Sequence, residues 1–173
     1  MENNIVVKKS REEVMRVIVD PFRLFGIISH INILQVYDEE KNIYTTLDKV
    51  NVFPRKFRVM YIFGTPDTKI TTFLGYMEGP KIVPGGVRYQ GRDNEETFYW
   101  DLEIYVKERQ EGSSLSFHMN TIYKPKITHK LLGKEVKELK EEFNFPDHIL
   151  KAHLIPYFKF YGFIDDTLLS QEQ

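Results

Sequence analysis

Residues 147–163 read Asp147-His148-Ile149-Leu150-Lys151-Ala152-His153-Leu154-Ile155-Pro156-Tyr157-Phe158-Lys159-Phe160-Tyr161-Gly162-Phe163. A helix drawn through them carries apolar or aromatic side chains on nearly every side. Such a helix cannot lie on a surface with one face in water and must be wrapped by other structure. Pro156 within it predicts a kink.

The segments before it can supply the wrapping. Residues 97–107 alternate most clearly. Phe98, Trp100, Leu102, Ile104 and Val106 share one face, and Tyr99, Asp101, Glu103, Tyr105 and Lys107 the other. Runs at 5–8, 31–37, 43–50, 55–63, 87–93 and 115–123 also read as strands, and the run 69–77 is apolar on both faces. Residues 64–67 predict a turn. The segment Gly79-Pro80-Lys81-Ile82-Val83-Pro84-Gly85-Gly86 predicts a long loop able to act as a lid.

Two short helices are expected near the start. Ser10 and Glu13 have capping-box spacing, and Val14, Val17 and Ile18 form an apolar stripe behind them. Asp20-Pro21 stops that helix and starts the next, with Phe22, Phe25 and Ile28 inward. Residues 128–143 predict an amphipathic helix with Leu132, Val136, Leu139 and Phe143 on one stripe. Residues 165–173 read as a polar tail.

Composition narrows the function. A chain of 173 residues fits one domain, 1–173. A net charge of −1 argues against a polyanion partner, so no nucleic acid is expected. The absence of cysteine removes disulfides, thiolate metal sites and Cys nucleophiles. No run has signal-peptide or membrane-span length, which predicts a soluble, cytoplasmic protein without integral membrane contact. Many Lys, Glu, Ile and Tyr with no Cys fit a thermophile.

The order strand, two short helices, six strands and C-terminal helix resembles the helix-grip fold of the START/SRPBCC superfamily, which includes the birch-pollen allergen type. The local match is Val6-Val7-Lys8-Lys9-Ser10-Arg11-Glu12-Glu13-Val14, then Val19-Asp20-Pro21. More narrowly, the chain is similar to a thermoacidophilic archaeal family of unassigned function. The resemblance implies an α+β fold: a curved seven-stranded antiparallel sheet wrapped around the C-terminal helix. Two short helices follow strand 1, and an extra helix precedes the last. It also implies a pocket between sheet and last helix of the kind used for fatty acids, sterols, phenolics or polyketides.

The expected walls of that pocket are Val59, Tyr61, Leu74, Tyr76, Tyr89, Phe98, Trp100, Leu102, Phe117 and Met119 from the sheet. Phe25 and Ile28 join from the second helix, and Leu150, Leu154, Tyr157, Phe158 and Tyr161 from the last. Arg88 and Arg92 are candidate donors to a carboxylate head. The expectation is a binding or carrier protein for a hydrophobic small molecule, a fatty acid or related lipid. The alternative is a cyclase- or hydratase-type enzyme using Tyr61, Tyr76, Tyr89, Tyr161 or His153 in the same pocket. A third reading is self-association into a homo-oligomer through Tyr99, Tyr105 and Phe73.

No motif assigns a catalytic residue. Asp101 and Glu103 share a strand face, but it is the face opposite Trp100 and reads as solvated. Gly85-Gly86 lacks the context of a phosphate loop. Of the five histidines, no pair has i, i+4 spacing. His148 and His153 diverge by roughly 140° on a regular α-helix, so no metal and no cofactor are expected.

Overall fold

The computed structural model describes residues 3–64, 67 and 69–161, with Tyr161 described by its backbone alone. The expected tail at 165–173, the Gly162-Phe163 end of the last helix and part of the 64–67 turn lie outside the described residues.

The fold is α+β. Among the described residues eight antiparallel strands form one open sheet: β1 (Asn4–Val7), β2 (Ile31–Asp38), β3 (Ile43–Thr45), β4 (Lys56–Phe63), β5 (Thr71–Val83), β6 (Gly86–Asp93), β7 (Phe98–Arg109) and β8 (Gly112–Tyr123). Their order across the sheet is β1-β8-β7-β6-β5-β4-β2-β3. From β4 to β8 the chain is a plain meander. Each of the eight runs read as strands forms one strand, one more than the seven that the resemblance implies, and the run 43–50 is a strand only in its first part. Ile43–Thr45 pairs with β2 as an edge strand, and Leu47–Lys49 turns into a 3-10 helix.

Between β1 and β2 the chain crosses the sheet through α1 (Arg11–Ile18) and α2 (Pro21–Ile27). The capping box forms: the Glu13 amide donates to the Ser10 hydroxyl, and the Ser10 amide to the Glu13 carboxylate. Asp20 caps α2, accepting from the Phe22 and Arg23 amides at 3.0 and 3.3 Å. Asp20→Ala leaves both amides to water and is expected to cost about 1 kcal/mol, read from a urea melt. An unchanged midpoint would mean that packing of Phe25 alone sets this helix.

One apolar core joins sheet and helices. Phe57, Val59, Tyr61 and Phe63 of β4, Val87 and Tyr89 of β6, and alternate residues of β7 and β8 face it. Val14, Val17 and Ile18 of α1 and Leu24 and Phe25 of α2 cover one part. Phe145, Ile149, Leu150, Leu154 and Phe158 of the last helix cover another. The Tyr89 hydroxyl ties the layers together by donating to the Ile18 carbonyl at 2.6 Å.

Two expected elements differ. The 79–86 segment is not a lid. Most of it belongs to β5, which resumes its ladder past a bulge between Glu78 and Lys81 and turns at Pro84-Gly85 into β6. Gly85 has φ +83°, a value that favours glycine in a tight hairpin. The helix expected at 128–143 is a single short one, α3 (Ile127–Leu131). Gly133 at φ +63° ends it, with the Lys134 amide closing on the His129 carbonyl at 2.8 Å. Two 3-10 turns follow, Lys137–Leu139 and Glu141–Phe143. Val136 and Leu139 reach the core, whereas Leu132 is 66% and Phe143 47% exposed.

The last helix starts at α4 (Phe145–Ile149), capped by Asn144. Pro156 has no amide proton, and its ring crowds the carbonyl four residues back. The helix widens into π-helical turns on either side of it, Leu150–Leu154 and Tyr157–Tyr161. Among the described residues no helix is long and apolar enough to cross a membrane.

Candidate functional site

Most of the expected pocket wall does face inward. Phe25, Ile28, Val59, Tyr61, Tyr89, Phe98, Trp100, Leu102, Phe117, Met119, Leu150, Leu154 and Phe158 are all buried, and Tyr157 packs half-buried against them. Tyr161's side chain lies outside the described residues. These rings meet one another. Phe25 contacts Tyr89 at 4.9 Å and Trp100 at 5.6 Å between centroids. Phe98 contacts Tyr61 at 5.5 Å and Phe63 at 5.7 Å, and Phe63 contacts Phe145 at 5.4 Å. The polar atoms are also engaged. The Trp100 indole N–H donates to the Tyr61 hydroxyl at 2.9 Å, which donates to the Tyr76 carbonyl at 2.8 Å. Burial pushes the Tyr61 and Tyr89 phenols far above their usual range, so both stay protonated as hydrogen-bond donors.

Four expected wall and mouth residues are on the opposite, outer face. Gly75 and Met77 point into the core, so Leu74 and Tyr76 point out, and Leu74 is 50% exposed. Register then places Arg92 opposite Tyr76, and Tyr99 opposite Arg92. Arg88 sits on the same face, opposite Glu103. Neither arginine can serve an inner pocket. Phe73 faces inward, against Phe63 at 5.9 Å, and is not the exposed contact expected of it.

On that outer face Tyr76, Arg88, Arg92, Tyr99, Asp101 and Ile122 surround a cleft of about 360 Å³. Its floor includes Gly91 and Trp100. A Cβ at residue 91 would stand 2.5 Å from both the indole nitrogen and the Tyr61 hydroxyl, so glycine makes room for the Trp100–Tyr61 hydrogen bond beneath the cleft. Arg92 lies over the Tyr76 ring at 5.3 Å and 3.7 Å from Glu96. Arg88 bonds Asp101 at 3.1 Å, while its Nε is buried without a hydrogen-bond partner. Asp101 and Glu103 are therefore partners of Arg88 rather than freely solvated carboxylates. The stripe continues across the sheet. Tyr76 meets Tyr44 at 5.8 Å, and Arg58 lies over Tyr44 at 4.7 Å.

A larger cleft of about 650 Å³ separates the end of β8 from residues 139–146. Its lining carries charges of both signs, and Lys140 pairs with Glu135 at 2.8 Å.

The sequence argument that parted His148 from His153 fails. In a π-helical turn the hydrogen bonds run i to i+5, which sets residues five apart near one face. His148 and His153 converge there with His30, which precedes β2. One ring nitrogen from each lies within 4.8 Å of the others, making a three-histidine group with the geometry to hold a metal ion. Burial and then the neighbouring imidazoles hold His148 and His153 below the usual range, His153 at about 4.

No protein-family profile matches the chain, and no curated protein matches it. Solved structures similar to it include two from bacteria. A protein of unknown function from Staphylococcus aureus, SA2116, has a TM-score of 0.51 at 15% identity, covering 100% of this chain and 95% of its own. TTHA0849 from Thermus thermophilus has a TM-score of 0.44 at 16% identity, covering 81% of this chain and 85% of its own. The first likeness is one of overall fold, an α+β chain built on a large antiparallel sheet.

Proposed function

We propose that the protein binds, without chemical turnover, a small apolar or aromatic molecule bearing an acidic group, such as a fatty acid or an aromatic carboxylate. The scaffold reading is a helix-grip one, with the sheet holding the C-terminal helix, and it rests on element order. The ligand site is the outer cleft rather than the inner face, where the described rings already touch one another. The observation that carries this reading is the convergence of Tyr76, Tyr99 and Trp100 with Arg88 and Arg92 on one cleft. Its volume of about 360 Å³ falls in the range of small-molecule sites, and aromatic walls with a few placed charges are their usual chemistry. A guanidinium beside an apolar wall holds a carboxylate by charge-assisted hydrogen bonds.

Trp100 is the only tryptophan and lies between the cleft floor and the inner rings, so its fluorescence responds to binding in the cleft, and the Arg92 variant assigns the response to that face. Titration with carboxylates of rising chain length and with benzoate-type acids is expected to give a saturable change. Arg92→Ala is expected to weaken binding at least tenfold, by about 1.5–3 kcal/mol, and the methyl esters to bind no better to wild type than to the variant. A flat response across the panel, with the fold intact, rejects this site.

A further inference from the structure

We propose that His30, His148 and His153 together bind one divalent transition-metal ion of the zinc class, with a fourth coordination position left to a solvent molecule or an exogenous anion. This goes beyond the carboxylate-binding reading and does not depend on it.

The donor geometry comes first. The Nε2 atoms of His30 and His148 are 3.2 Å apart. Tetrahedral zinc with Zn–N bonds near 2.0–2.1 Å sets ligand nitrogens about 3.3 Å apart. The third donor lies within 4.8 Å of the other two, close enough for a side-chain rotation to complete the set. The described residues bring no carboxylate or thiolate into the group. Three imidazoles without hard oxygen ligands favour zinc, cobalt, nickel or copper over magnesium or calcium.

The His30 ring orientation is already fixed from behind. His30 Nδ1 is 2.7 Å from the Ile62 carbonyl. A carbonyl only accepts, so the proton is on Nδ1 and the Nε2 lone pair faces the group. The Ile62 amide in turn donates to the His30 carbonyl at 3.0 Å, pinning the residue to β4. The Ile27 backbone adjoins the His153 ring. Backbone carbonyls that hold the far nitrogen of a ligating imidazole are the usual outer support of metal sites.

An imidazole-to-imidazole hydrogen bond is the competing account of the 3.2 Å contact. It satisfies His30 and His148 but leaves His153, whose Nε2 is buried with no hydrogen-bond partner. Buried polar atoms are seldom left so. A single ion among the three accounts for all of them. The surroundings fit as well. Phe63 stacks on His30, Phe145 packs edge-on to it, and Phe143 packs on His148, which limits water and favours neutral, ligating rings. The ion would also join the segment before β2 to the last helix.

The test uses the full chain without an affinity tag, freed of metal by a chelator and then dialysed. Cobalt(II) is added and the visible absorption followed, and zinc is then titrated against a chromophoric chelator. Expected are the intense visible bands of four- or five-coordinate cobalt, displacement by zinc, and one ion per chain. His153→Ala and His30→Gln should each weaken zinc at least tenfold, while His118→Ala and His129→Ala, outside the group, leave it unchanged. Zinc should also raise the melting temperature of wild type and not of His153→Ala. His148→Gln, at a half-buried position, repeats the test should the other variants fail to fold. Only the weak bands of six-coordinate cobalt, or zinc binding that survives both His30→Gln and His148→Gln, would overturn the site and leave the histidines as a hydrogen-bonded packing cluster.

Discussion

Asp93→Ala is expected to destabilise the fold by about 3–5 kcal/mol, because it strands buried donors rather than removing a surface charge. Asp93 ends β6 and is 2% exposed. Its carboxylate accepts from the Thr97 and Phe98 amides at 2.7 and 2.9 Å and from the Thr97 hydroxyl. These bonds close the turn into β7, where Glu96 sits at φ +58° and the Asn94 amide donates to the Leu74 carbonyl at 2.8 Å. Alanine fills part of the space but accepts nothing, and each unpaired buried donor costs about 1–3 kcal/mol. For a chain of this size the midpoint of thermal unfolding should fall by about 10 °C. Circular dichroism melts decide it. A loss below about 1 kcal/mol would mean that water reaches the turn and replaces the carboxylate.

What the sequence made legible was local or periodic. The capping box at Ser10 and the Asp20-Pro21 restart depend on neighbours along the chain, and both form as read. The period-two pattern of residues 97–107 has one apolar face, so its inward set, Phe98 to Val106, is as expected. The run 69–77 is apolar on both faces and holds no such signal. Its orientation is decided by partners, since Met77 pairs with Phe57 and Gly75 with Val59, whose side chains are buried. That choice sent Leu74 and Tyr76 outward. Arg88 and Arg92 follow from the same ladder, so the arginines and Tyr76 meet in a cleft with Tyr99 and Asp101, both assigned to the outer face of 97–107 by the alternation, and with Ile122, for which the sequence offered no reading. Gly133 was a visible helix stop inside 128–143 that the amphipathic stripe outweighed. Gly79-Pro80 looked like a loop, but a bulge lets a strand pass such a pair. The histidine group was missed because five-residue spacing is meaningless on an α-helix. Only Pro156, four residues from carbonyl 152, hinted at wider winding.

Leu154→Arg is expected to prevent folding, and this tests which side of the widened helix holds the core. Leu154 is fully buried, and Leu150 and Phe158 are each 2% exposed, all in the same cluster as the sheet's inner rings. An arginine stays charged at any working pH. Burying it unpaired among aliphatic and aromatic side chains costs several kcal/mol after relaxation, on top of the lost packing. The total rivals the roughly 5–15 kcal/mol that holds a typical domain together. Leu154→Ala, which only opens a cavity, should cost about 2–5 kcal/mol and still fold. Lys151, one turn earlier, is exposed and pairs with Asp147 at 3.1 Å. Lys151→Ala should shift the melting midpoint little, as exposed ion pairs contribute at most about 1 kcal/mol. Soluble yield and melts of the three variants separate the cases. A folded Leu154→Arg alongside an unfolded Lys151→Ala would mean that the helix docks through its other face. That outcome would also remove His153 from the group with His30, so the same pair of variants bears on the metal site without any metal being added.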